Sequence, residues 1–204
     1  MRLSRALSHL AILLLVSVSS SNADTIKYSS TDGPISFDGT GQAAVSTILL
    51  PDKIQVTNMS VTINIECPTV ENLRIELYNP AGTWGIWLIV WPYHRGNGAN
   101  YVSTTFDDRA TYYLDSGTAP YTGTFLPEAG LYTFMTDGVN PESLQLWVIG
   151  EGVGSSSYNQ LGTLESWSIE FEGSRIAPVP EPSTLALLGV GLVGVIGYGW
   201  KARR

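Results

Sequence analysis

The sequence predicts an all-β fold, an antiparallel β-sandwich of jelly-roll type, and three observations carry that expectation. Apolar and polar residues alternate with a period of two over residues 61–65, 73–77, 144–148 and 167–171, the mark of strands with one buried face. Turn-forming groups such as Asn79-Pro80, Gly96-Asn97-Gly98, Asp137-Gly138 and Asn140-Pro141 punctuate these runs, at intervals that suit short strands. No stretch of the body has the 3.6-residue period of an amphipathic helix, so helical crossovers are not expected.

The chain opens with an export segment. Arg2 and Arg5 precede an apolar run over residues 10–18, and Ser21, Asn22 and Ala23 form a small-residue cleavage site. This is the pattern of a secretory signal peptide, residues 1–23, cut after Ala23. Residues 24–177 are then long enough for one domain. Within them, residues 86–91 are apolar on both faces, which suits a central strand, or one whose second face meets a loop or a partner. The segment 103–130, rich in Thr, Tyr, Asp and Gly, reads as an ordered excursion over one end of the sandwich, where binding residues tend to lie. Cys67 is the single cysteine, so no internal disulfide can form, and it is expected to be buried and inert. Stability must rest on the apolar core, to which five of the six tryptophans can contribute.

The tail is organised differently. Val179, Pro180, Glu181 and Pro182 introduce an uncharged run over residues 183–200, and Lys201, Arg203 and Arg204 close it. At about 1.5 Å rise per residue that run spans roughly 27 Å as a helix, enough to cross a hydrocarbon core. A transmembrane helix is therefore expected over 183–200, with the basic end cytoplasmic and the body on the far side. The order of these parts resembles the PEP-CTERM sorting signal of Gram-negative bacteria. The resemblance implies recognition by an exosortase at Val179, Pro180, Glu181 and Pro182, in a sorting segment over residues 178–204, removal of the tail by a cut near this motif, and delivery to the outer surface or extracellular matrix. The alternative is a plain C-terminal membrane anchor. The G-x-G-x-x-G spacing from Gly189 to Gly194 has no strand before it and is not a dinucleotide site.

The body resembles the P domain, or Homo B domain, found behind the catalytic domain of subtilisin-like proprotein convertases. The resemblance is carried by residues 61–80 with Gly82, by 105–110 (Thr-Phe-Asp-Asp-Arg-Ala), by 121–128 (Tyr-Thr-Gly-Thr-Phe-Leu-Pro-Glu) and by 159–171. It covers roughly residues 45–172 and implies a jelly-roll sandwich. The family's Gly-Asp-Leu is Glu71-Asn72-Leu73 here, and its Asn-Gly-x-Trp is replaced by Glu142-Ser143-Leu144.

Charge narrows the function. Eighteen acidic against 11 basic residues give a net charge of −7. Five of the bases, Arg2, Arg5, Lys201, Arg203 and Arg204, lie in the terminal segments, so the body alone stands near −11. Such a body is no nucleic-acid binder; it points to neutral glycans, cationic partners or calcium. Its one histidine, His94, reads as a loop residue, and no Ser-His-Asp segments or nucleophile elbow are present, so no enzyme activity is expected. Asp107 and Asp108, with Asp115 nearby, could supply oxygens to calcium, an idea the P-domain resemblance supports. The alternative is Asp108 paired with Arg109 or Arg74 and Asp107 capping a turn. Trp84, Trp91 and Tyr93, within an aromatic group that includes Trp87 and Tyr101, could stack on sugar rings. The function expected is an exported, non-catalytic protein of the surface or matrix, associating with exopolysaccharide or surface proteins; the alternative is an accessory P domain for a separate subtilisin-like protease.

Overall fold

The computed structural model describes residues 24–38, 42–81, 84–89, 97–135, 138–150 and 162–176, together with Gly189, Gly191 and Tyr198. Among these, ten strands form two sheets: β1 Asp24–Ser29, β2 Ile35–Phe37, β3 Ala44–Leu49, β4 Ile54–Glu66, β5 Leu73–Asn79, β6 Trp84–Ile89, β7 Tyr101–Asp107, β8 Tyr121–Phe125, β9 Ser143–Gly150 and β10 Gly162–Arg175. The larger sheet runs β1-β10-β4-β7-β8, with β2 also on β10, and the smaller runs β3-β9-β5-β6. Two 3-10 turns, Leu114–Ser116 and Leu131–Phe134, lie between β7 and β9.

The alternation places the core. Leu73, Ile75 and Leu77 of β5 and Leu144, Leu146 and Val148 of β9 are fully buried, as are Val61, Ile63, Trp167, Ile169 and Phe171 of the larger sheet. Each such side chain contributes about 1.5 to 3 kcal/mol. Polar contacts also tie the sheets together: the Trp167 indole donates to Ser46 Oγ at 2.6 Å, and Ser46 donates to Asp32. The expected fate of Cys67 is met. It is fully buried, its Sγ donates to Thr69 O at 3.0 Å, and burial pushes the thiol pKa up, away from a reactive thiolate.

Three expectations change. The sheets are not wholly antiparallel, because β8 lies parallel to β7. The segment 103–130 is accordingly no simple excursion: it holds the rest of β7, a link with a 3-10 turn, and β8. Its alternation is broken where Ser103, at φ 49°, interrupts the β7 ladder and donates its N–H to the Asn64 side chain at 2.7 Å. The third concerns residues 86–91, whose described part belongs to β6, an edge strand. Among the described residues it is the open edge of β6 that meets a loop, since the N–H groups of Glu128 and Ala129 donate to the carbonyls of Leu88 and Trp87, while its second face stays open at Trp87.

Residues 1–23, with the cleavage site at Ala23, and 177–182, with Val179, Pro180, Glu181 and Pro182, lie outside the described residues. Of the expected transmembrane run, Gly189, Gly191 and Tyr198 are described, all helical and exposed. Among the described residues no helix is long and apolar enough to cross a membrane.

Candidate functional site

Asp107 ends β7, where the chain turns out of the larger sheet. Its carboxylate accepts the Arg109 backbone N–H at 2.8 Å, the guanidinium at 3.2 and 3.0 Å, and the Asn58 amide at 3.3 Å. Arg109 also donates to Glu172 of β10 at 2.9 Å, so one side chain links β7 to β10 across the intervening β4. Burial raises the Asp107 pKa, but the hydrogen bonds from Arg109 and Asn58 outweigh it and hold the carboxyl below the usual aspartate range.

Asp108 serves another element. Its two oxygens accept the N–H groups of Leu131 and Tyr132 at 2.9 and 3.0 Å, capping the second 3-10 turn. Asp115 sits exposed in the first such turn. In this arrangement the three carboxylates do not form a common donor set for calcium. Among the described residues no group of three or more His, Cys, Asp or Glu side chains could hold a metal ion.

The expected aromatic platform is redistributed. Trp84 turns to the margin of the core and stacks on Phe134, ring centroids 4.7 Å apart and planes 11° from parallel. Tyr101 is buried against Tyr121. Trp91, Tyr93 and His94 lie outside the described residues.

Strand register builds a different aromatic group on the outer face of the smaller sheet. Trp147 of β9 pairs with Glu76 of β5, and Glu76 pairs with Trp87 of β6. All three alternate with buried neighbours and so point outward; Trp87 is 47% exposed. Two strand spacings put the tryptophan backbones about 9.5 Å apart. The next row holds Gln145 and Tyr78. The Trp147 indole N–H donates to Gln145 Oε1 at 3.2 Å, and the Gln145 amide donates to Thr47 Oγ1 at 3.2 Å, which fixes the ring's orientation. Tyr78 lies 6.0 Å from Trp147, tilted by 59°. Gly85 leaves room for this row, since a methyl there would come 2.5 Å from Glu76 Oε1 and 3.1 Å from the Tyr78 ring. Tyr78 and Trp147 were legible in the sequence: each occupies the polar phase of an alternating strand.

Residues 178–204 match the family model described as the PEP-CTERM protein-sorting motif. The chain carries a PEP-CTERM sorting motif. That motif is the address of an exported, membrane-anchored precursor recognised by an exosortase in Gram-negative bacteria. No curated protein matches the sequence. Two solved structures similar to this chain are the serine protease of Aeromonas sobria in complex with the chaperone ORF2 and the same protease alone. The first is 16% identical, with a TM-score of 0.40 over 75% of this chain and 28% of that one. The second is 14% identical, with a TM-score of 0.39 over 74% and 27%. The chain thus spans under a third of the length of either.

Proposed function

We propose that this chain is an exported, non-catalytic protein whose tail is removed by an exosortase and whose β-sandwich is displayed at the cell surface or in the extracellular matrix, where it associates with exopolysaccharide or neighbouring surface proteins. The observation that carries this reading is the sorting motif at residues 178–204, and the reading of residues 1–23 as an export signal agrees with it. The strong negative charge of the body keeps it soluble outside the membrane and disfavours polyanionic partners. Jelly-roll connectivity belongs to the same reading, and what supports it is strand order: with β2 and β8 set aside, the sheets run β1-β10-β4-β7 and β3-β9-β5-β6.

Mass spectrometry of the exported protein tests the sorting step. The expected surface form begins near Asp24 and ends close to Pro182. A surface form that retains Arg204 would remove the sorting reading and leave a plain anchor, and deletion of a host exosortase should convert the first form into the second.

A further inference from the structure

We infer that the outer face of the smaller sheet is a binding site for a neutral glycan chain, seated across Trp147, Glu76 and Trp87 and bordered by Tyr78 and Gln145. The inference rests on the reading that the body is displayed outside the cell, and it names the ligand class and the face that would take it.

Four features select this occupant. The two tryptophans project from one face about 9.5 Å apart, a span that suits roughly two sugar rings laid side by side. A pyranose presents C–H faces to indole rings and hydroxyls around its rim. The face offers both kinds of partner, with the Glu76 carboxylate between the rings and the Gln145 amide beside them. The carboxylate accepts from hydroxyls through charge-assisted hydrogen bonds, which are roughly twice as strong as neutral ones.

The second feature is pre-organisation. Gln145 holds the Trp147 indole, Thr47 holds Gln145, and Gly85 leaves space for Glu76 and Tyr78 to lie in the row. Rotamers already restrained in the free protein lose less entropy on binding. Third, charge disfavours an acidic polymer: the body stands near −11, and Glu76 at the centre of the face is offset only by Arg74 in the next row of β5. Finally, although Val45 and Ile149 share the face, the polar side chains of Arg74, Glu76, Gln145 and Thr47 lie among its aromatics. A protein-docking patch would instead place a contiguous apolar core there, with charges at the rim.

Affinity electrophoresis of the purified full chain in detergent micelles tests this. Gels would contain laminarin, dextran, galactomannan or hydroxyethylcellulose as neutral polysaccharides, and polygalacturonate as the acidic comparison. The expected result is retardation by at least one neutral polymer and none by polygalacturonate. Trp87→Ala and Trp147→Ala should each weaken the interaction tenfold or more, Glu76→Gln severalfold, and Trp87→Phe should retain most of it. Trp84→Ala, altered on the core side of the same strand, should leave affinity unchanged in protein that remains folded by circular dichroism.

Absence of retardation by every neutral polymer would overturn the proposal. So would retardation that survives both tryptophan substitutions, and so would a face that captures a purified surface protein of the host while ignoring glycans. The assay uses purified protein, so its outcome is separate from sorting: an intact Arg204 on the exported form would end the sorting reading without touching the glycan result.

Discussion

Asp107 and Asp108 are neighbours in sequence, yet their carboxylates hold different parts of the molecule. Asp107 engages Arg109 and Asn58, and through Arg109 it is coupled to Glu172; Asp108 caps a 3-10 turn 23 residues further on. Replacing Asp107 by Asn should lower stability by about 1 to 2 kcal/mol, the worth of charge-assisted hydrogen bonds discounted because Arg109 is largely exposed. For a body of this size that is a fall in Tm of roughly 3 to 6 °C. The pH dependence has a fixed sign. The folded pKa of Asp107 lies below its ordinary value, so the stabilisation is complete above about pH 4 and is lost as pH falls through the folded pKa. Parent and variant should therefore differ most near neutrality and converge in acid. A difference that does not shrink at all as pH is lowered from neutrality into the acid range would show that the charge was not the cause.

At the scale of elements, the two longest strands keep their faces only by bulging. In β4 the buried set moves from Ile54 and Val56 to Met59, Val61, Ile63 and Ile65, a one-residue slip that would turn the strand inside out if its partner ran straight. The ladder absorbs it between Glu172 and Gly173 of β10, and Thr57 donates its hydroxyl to the Glu172 carbonyl at 3.0 Å. Gly173 is required there, because a Cβ would stand 2.1 Å from the Gln55 carbonyl oxygen, a backbone atom that cannot rotate away. Gly173→Ala should cost about 1 to 3 kcal/mol, as overpacking does, measured as a lower denaturant midpoint with an unchanged m-value. A variant as stable as the parent would mean that the bulge can open without loss.

For the whole molecule, the deciding quantity is how the acidic surface is managed. Were Asp107, Asp108 and Asp115 to share an ion, calcium at a hundredfold above its Kd would add about 2.7 kcal/mol. With Asp107 and Asp108 already accepting protein N–H donors, an ion would have to displace those contacts, and the gain would shrink accordingly. The melting temperature of the intact chain should thus move by no more than about 2 °C between chelator and millimolar calcium. A rise of roughly 5 to 10 °C would show that the loop between β7 and β8 rearranges to admit the ion.

Local pattern was enough for the β class, for the inward faces of β5 and β9, for the burial of Cys67 and for the sorting motif, since each depends on residues close together in the chain. A period of two says which side chains share a face, whatever lies opposite. Pairing across sequence gaps could not be read that way. Whether β8 lies parallel to β7, whether β6 is central or at an edge, and which partner takes Asp107 are settled by strands far apart in the chain competing for one another's hydrogen bonds. The same holds for the aromatic face. Alternation alone puts Trp147, Glu76 and Trp87 on outward positions, but only the register of β9 with β5 and of β5 with β6 brings them into one row, because sheet order is a property of the assembled backbone and not of any single strand.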